Sequence, residues 1–214
     1  MPNQSGTMYG LTILSPIIDD EKATPSHDLQ IRAYLADLPT DCKSPFALAP
    51  GTHLCRLVVM DDVIYVGMPS CEEHLKSKYL VFESNCDGGP NGDLDAYLTG
   101  LAKSVGPQLD AIWRHCVGYP GASDIPAFIR YMRACQLKTS FYFAAVNNKT
   151  LRQTLRALQT QRAVADFITA NQGLAPAEVQ TAFAAFLQQL DAQPIPLPGG
   201  VTVKRDMKTG GRNE

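Results

Sequence analysis

The order of strand-forming and helix-forming segments constrains the fold of this chain more than any single motif. Runs of β-branched, aromatic and aliphatic residues predict strands at residues 9–15, 52–60, 78–84 and 138–146. One helix is predicted between the first two strands and three between the last two, at residues 26–38, 93–104, 107–118 and 125–135. With the extra helices set aside the order is βαββαβ, in which the helices cover one face of an antiparallel sheet and leave the other face open.

A helical extension follows the predicted sheet. Apolar residues at helical spacing predict two helices within residues 149–190. Residues 193–214 begin with a proline-rich run and end in a basic, glycine-rich stretch, which is typical of a flexible tail. We therefore expect a single α+β domain over residues 1–192, with its sheet core within residues 9–146.

Charge and hydropathy argue against several classes of function. A net charge of −2 is not the basic balance typical of nucleic-acid binding, and no apolar run approaches the roughly 18–20 residues that span a bilayer. The first residues, MPNQSGTMYG, lack the basic-then-apolar layout of a signal peptide, so we expect a cytoplasmic protein. Its six cysteines are then expected to be thiols, and none lies in a Cys-x-x-Cys pair that would predict a structural zinc site.

Strand alternation predicts which side chains share the open face of the sheet. Successive side chains of a strand point to opposite faces, and we assign the most apolar rows to the helix side (Leu57, Val59, Leu80, Phe82, Phe141 and Phe143). Arg56, Glu83, Asn85 and Tyr142 then meet on the open face. Such polar groups among aliphatic neighbours are typical of a small-molecule or cofactor pocket. The alternative is that Arg56 and Glu83 form a plain cross-strand ion pair.

A histidine in the predicted helix at 107–118 is the leading candidate for chemistry. Helical spacing places His115 beside Trp113, at the boundary between the buried and the exposed side of the helix. A histidine at such a boundary can serve as a metal or cofactor ligand or as a general base; the alternative is a surface group at a helix end. Tyr119 could donate a hydrogen bond into the same cavity, and Cys116 is expected to be core. His53, at the start of its strand, is a second candidate base or a structural residue.

The predicted strand order, with helices near an open sheet face, resembles that of ferredoxin-like proteins of the dimeric α+β barrel group. That group includes cofactor-free monooxygenases and haem proteins such as the chlorite dismutase and dye-decolourising peroxidase families. The resemblance covers about residues 9–146 and is architectural, since the Gly-x-x-Asp-Gly signature of the peroxidases is missing. It implies a ferredoxin-like sheet, a homodimer and the option of a bound haem.

These observations support three functional hypotheses. The first is a small-molecule oxidoreductase whose pocket lies between the open face and the helices at 107–135. In its sharper form the protein binds haem, with His115 as the iron ligand and Arg56 as a distal or propionate-binding cation. The second is a cofactor-free monooxygenase, isomerase or cyclase that acts on a hydrophobic substrate, with His115 or His53 as base. The third is an accessory subunit that docks a larger protein through its C-terminal helices and tail.

Overall fold

The chain folds into a four-stranded antiparallel sheet, with helices packed on one of its faces. The computed structural model describes residues 3–63, 67, 74–88 and 92–200. Within them the strands are β1 (Gln4–Ser5), β2 (Met8–Pro16), β3 (Thr52–Met60) and β4 (Tyr79–Asp87). The helices are α1 (His27–Ala36), α2 (Leu94–Trp113), α3 (Ile125–Ala134), α4 (Leu151–Ala170) and α5 (Pro176–Ala192), and a short 3₁₀ helix spans Pro45–Leu48.

The sheet has the order β1-β2-β4-β3, and all neighbouring strands are antiparallel. Because β2 and β3 both run antiparallel to β4, which lies between them, the unit β2-α1-β3 is a split βαβ unit, as the segment order predicted. The α+β prediction is therefore confirmed. Strand β3 forms one edge of the sheet.

The predicted last strand at 138–146 is not formed, which corrects the βαββαβ order. The outer edge of β2 is already occupied: Asn3 O accepts from Gly10 N at 2.8 Å, and Leu137 N donates to Thr12 O at 2.9 Å. With these backbone groups of β2 taken, the following residues leave the sheet plane. Phe141 and Phe143, assigned by alternation to the helix side, are instead 82% and 70% exposed.

Helix α2 is the main cover of the sheet. The two helices predicted at 93–104 and 107–118 form one element with a kink at Val105 (φ −131°, ψ 22°), two residues before Pro107. Proline removes one backbone donor and clashes with the preceding turn, which accounts for the kink. At its end Trp113 is fully buried, packs edge-on against Phe82 and donates through Nε1 to Ser15 Oγ at 3.1 Å. The core therefore lies between α2 and the face of the sheet that carries Phe82.

The C-terminal helices form a hairpin whose contacts are mostly its own. Phe167 of α4 packs against Phe183 and Phe186 of α5, with ring centroids 5.7 and 4.8 Å away. Leu155, at 9% exposure, is the only buried residue of α4, and no residue of α5 is buried. Residues 193–200 contain no helix or strand, and the rest of the predicted tail lies outside the described residues. None of the helices in the described part of the chain is long and apolar enough to cross a bilayer.

Candidate active site at the edge of β3

The structure places the predicted open-face residues on one face of the sheet. Arg56 and Glu83 are register partners, and the guanidinium donates through Nε to the Glu83 carboxylate at 2.8 Å. Tyr142 reaches the same face from outside the sheet: its ring lies over Gly10, the register partner of Asn85, so closely that a Cβ on Gly10 would meet it at 2.7 Å. Arg56 and Glu83 therefore form a cross-strand ion pair with each other, which is the alternative interpretation of these two residues. Being largely exposed, such a pair contributes little to stability.

His115 lies in the turn that follows α2, rather than in a helix as predicted, and has partners on both ring nitrogens. Its Nδ1 is 2.9 Å from Nδ1 of His27, and Arg114 Nε donates to its Nε2 at 3.3 Å. Since Nε2 accepts, the proton of a neutral His115 sits on Nδ1 and is donated to His27. Burial, then the neighbouring Arg114 and His27, lower the pKa of His115 below its usual value. The residue is only 5% exposed, so a neutral, fully hydrogen-bonded structural histidine accounts for it.

In the described part of the chain, the open face and the 107–135 helices do not enclose the predicted pocket. Helix α2 packs on the face that carries Phe82, whereas Arg56 and Glu83 lie on the opposite face of the sheet. The Tyr119 hydroxyl is directed at neither His115 nor Arg56, because it donates to Asp110 Oδ1 at 2.8 Å. Burial raises the pKa of this hydroxyl. Burial likewise raises the pKa of the Cys116 thiol to about 12. These residues do not fit a haem site: both nitrogens of His115 are engaged, and the proposed distal cation is on the other side of the sheet.

His53 occupies a different environment, produced by a β-bulge. The register of β3 against β4 slips between Thr52, the partner of Cys86, and Leu54, the partner of Asn85. His53 is therefore the extra residue on β3, and a bulge of this kind re-aims a side chain relative to regular alternation. Its Nε2 lies 2.7 Å from Oδ1 of Asp87, and both side chains are largely but not fully buried. The result is a His–Asp pair at the edge of the sheet.

Two further contacts hold Asp87 in place. Gly51 has a φ of +70°, and a Cβ there would lie 2.9 Å from Cβ of Asp87, so only glycine lets the carboxylate sit so close to the turn. The backbone N–H of Leu151, at the start of α4, donates to both carboxylate oxygens at 3.1 and 3.2 Å. The first N–H groups of a helix have no partner within the helix and favour an anion. Asp87 therefore orients His53 from one side while the helix fixes Asp87 from the other.

His53 lines a groove that runs along the edge of β3. The volume of this groove is about 430 Å³, within the range of small-molecule sites. One wall consists of α1 and the 3₁₀ helix, with Leu35, Leu38 and Phe46, and the floor consists of residues 52–57 of β3. The groove thus combines a partly apolar wall, which also carries Thr40, Asp41 and Ser44, with one oriented imidazole.

The arrangement suits proton transfer better than thiolate chemistry. With Asp87 accepting from Nε2, the proton of a neutral His53 is on Nε2, and Nδ1 is an acceptor with no hydrogen-bond partner in the described part of the chain. Cys55, two residues along the same groove, is the nearest candidate nucleophile by sequence. Burial raises the pKa of its thiol to about 11, so it is protonated at neutral pH. The chemically competent group is the His53 imidazole.

Sequence reasoning considered His53 but missed its partner. In the sequence, Asp87 belongs to Cys86-Asp87-Gly88-Gly89, which lacks the Gly-Lys-Ser/Thr ending of a phosphate loop. Nothing in this motif indicates a catalytic carboxylate. The only available signal is Gly51, directly before the strongest predicted strand, where a glycine marks a turn or a close approach. Comparison of the chain with protein-family models, with curated proteins and with solved structures finds no match. The ferredoxin-like resemblance therefore stays a prediction.

Proposed function

We propose that this protein is an enzyme that catalyses proton transfer on a small, partly apolar substrate held in the β3 groove, with His53 as general base. The observation that carries the proposal is the 2.7 Å hydrogen bond between His53 and Asp87 at a groove of about 430 Å³. A carboxylate on one ring nitrogen orients the imidazole and stabilises its protonated form, while the other nitrogen takes the substrate proton. This belongs to the class of isomerases, cyclases and monooxygenases that need no bound cofactor.

The environments of the chain's four histidines favour His53 over the others. His27 and His115 are bonded to each other. His74 forms a similar pair with Asp62 at 2.7 Å, but both side chains are largely exposed, at 61% and 45%. An exposed imidazole lacks the apolar wall that excludes water and orients a substrate. His53 has both the carboxylate partner and the groove.

A relation to ferredoxin-like enzymes is part of this proposal. The order β2-β4-β3, with α1 and α2 on one face, matches three strands of that arrangement, and short segments stand in for the fourth. The segment order resembles that of the dimeric α+β barrel group, which includes cofactor-free enzymes. These are compatible with a general base that needs no metal. A haem-dependent oxidoreductase and a homodimer stay predictions, and a haemin titration and sedimentation velocity test them.

A reactive ester tests the base directly. With p-nitrophenyl acetate as probe, release of p-nitrophenolate by the wild type should exceed that by His53→Gln at pH 7.5 at least about 10²-fold, the lower end for general-base catalysis. Asp87→Asn should lose a large part of the same activity, since the amide no longer fixes the imidazole. Rates equal in wild type and His53→Gln would overturn the proposal.

The exposed pair supplies a matched control. His74→Gln removes the other histidine that is bonded to an aspartate and should leave the rate within about twofold of the wild type, because His74 lies outside the groove lining. Circular dichroism spectra of all three variants check that each is folded. If His74→Gln loses as much activity as His53→Gln, the rate reports surface imidazoles and the groove has no special role.

A further inference from the structure

Within the residues that the structure describes, no strand pairs with the outer edge of β3. In an antiparallel pair the N–H and C=O of alternate residues point towards the partner strand and away from it. The carbonyl of Val59 accepts from Arg32 Nη2 of α1 at 3.1 Å, which shows that Val59 points away from β4. Cys55 and Leu57, four and two residues earlier on the same side, therefore also direct their backbone groups outwards. Both residues line the groove beside His53.

Both ends of this edge are closed, and its middle is open. At the beginning, Thr52 N donates to Ala49 O at 3.3 Å. At the end, Arg32 covers Val59 and is itself held by Asp61 at 3.0 Å. Between them the backbone groups of Cys55 and Leu57 have no partner in the described part of the chain. Exposed strand edges are commonly blocked along their length, whereas here the blocks leave a gap at the groove.

The described part of the C-terminal segment, residues 193–200, reaches the groove without filling this gap. Pro198 and Gly199 line its mouth. Prolines alternate with other residues at Pro194, Pro196 and Pro198, and a proline has no N–H to donate to a neighbouring strand. These described residues narrow the entrance of the groove but do not hydrogen-bond to the backbone groups of Cys55 and Leu57.

We propose that the substrate of this site is a peptide or a peptide-like chain of amides, bound in an extended conformation along β3. The proposal rests on the proposed function and names its substrate class. The ligand's amides pair with the N–H and C=O groups of Cys55 and Leu57, which is the β-augmentation mode of recognition. Its alternate side chains pack against the apolar wall of Leu35, Leu38 and Phe46. His53, in the bulge at one end of the gap, lies against the bound chain.

Peptide binding measured by fluorescence polarisation tests this recognition. The probe is a labelled Val-Ser-Val-Ser-Val peptide, capped at both ends, and the comparison ligand is the same peptide with every amide N-methylated. The wild type should bind the first and lose at least about fivefold in affinity for the second, since two or more hydrogen bonds are removed and each contributes at least about twofold. Equal binding of the two peptides, or no binding of either, would overturn the proposal.

Variants of Leu57 test the protein's side of the contact. Leu57→Pro deletes one outward N–H that β4 does not use, and proline is tolerated on an edge strand in that orientation. It should weaken binding of the probe about tenfold, while the matched control Leu57→Val, which keeps the N–H, should change it less than about threefold. Equal effects would show that the side chain alone is recognised, against the proposal. Loss of a wild-type dimer in Leu57→Pro, seen by sedimentation velocity, would assign the edge to self-association and also overturn it.

The two proposals fail separately. Peptide binding is compared between the wild type and the Leu57 variants, and ester cleavage between the wild type and His53→Gln, so the two measurements depend on different residues. If ester cleavage depends on His53 but the peptide does not bind, the general base stands and the peptide-like substrate is wrong. If the peptide binds but ester cleavage is unaffected by His53→Gln, the groove is a peptide site without the proposed chemistry.

Discussion

Replacing Gly51 by alanine should damage the His53–Asp87 pair by a route that the structure defines. Gly51 has a φ of +70°, in the left-handed region that favours glycine. A Cβ built there lies 2.9 Å from Cβ of Asp87 and 3.1 Å from its Oδ2. The added methyl group must therefore push the Asp87 side chain, or the turn that carries Gly51, away from its present place. Either movement lengthens the hydrogen bond to His53.

The expected magnitude has two parts. A non-glycine residue in the left-handed region costs roughly 1–2 kcal/mol, and overpacking at a tight contact costs typically another 1–3 kcal/mol. Gly51→Ala should therefore lower the free energy of unfolding by about 2–5 kcal/mol. A substitution at Gly118 measures the backbone cost alone, because its φ is +72° and a Cβ there meets nothing within 4 Å. Gly118→Ala should cost about 1–2 kcal/mol.

Urea denaturation of the three proteins measures the difference, and ester cleavage follows the site. Gly51→Ala should be less stable than Gly118→Ala by at least about 1 kcal/mol. Gly51→Ala should also lose activity towards p-nitrophenyl acetate, while Gly118→Ala keeps it. If the two variants have the same stability, the contact with Asp87 contributes nothing. If Gly51→Ala is destabilised but fully active, Asp87 does not need its present position to support His53.

Two further predictions follow from buried groups. Folding lowers the pKa of His115, so the unfolded chain binds a proton at this residue more readily than the folded chain does. The free energy of unfolding should therefore be constant above about pH 6.5 and fall below it, by at most about 1.4 kcal/mol per pH unit. Urea midpoints from pH 7.5 to 5.5 should show this slope, and His115→Phe should flatten it. Iodoacetamide should alkylate exposed Cys42 before Cys86 and Cys116, whose pKa burial raises to about 12, and mass spectrometry of the labelled peptides would contradict this if Cys86 reacted as fast as Cys42.

Strand alternation predicted the sheet well where the pairing was regular. The opposition of Arg56 and Glu83 followed from the strand positions alone, and the register confirms it. The error at 138–146 has a physical cause that local sequence does not contain. Whether Phe141 and Phe143 enter the sheet depends on which segments pair with the outer edge of β2, where Asn3, residues 135–137 and Val117 form backbone hydrogen bonds. These three short segments have no strand pattern of their own, so their pairing with β2 was not predictable.

The site was less predictable than the fold because it depends on an irregularity. Strict alternation puts His53 in the same row as Leu57 and Val59, which we assigned to the helix side, and alternation carries no information about a one-residue bulge. Asp87 closes β4 in a turn rich in glycine and aspartate, where an acidic residue is ordinary. His115 attracted attention because it stands beside the only tryptophan, yet its boundary position is used to bond His27. Proximity in sequence to an aromatic residue did not distinguish a structural histidine from a reactive one.

Asp87 also connects the C-terminal helices to the proposed chemistry. Its carboxylate accepts from His53 and from the N–H of Leu151, the first residue of α4. Thr150 caps the same helix with Gln153, so the start of α4 is fixed independently of Asp87. A well-fixed helix N-terminus holds the carboxylate in one orientation, and a single orientation of the carboxylate is what selects one tautomer and one direction of the imidazole. The helical extension, which adds little to the core of the sheet, thus has a defined role at the site: it positions the residue that positions His53.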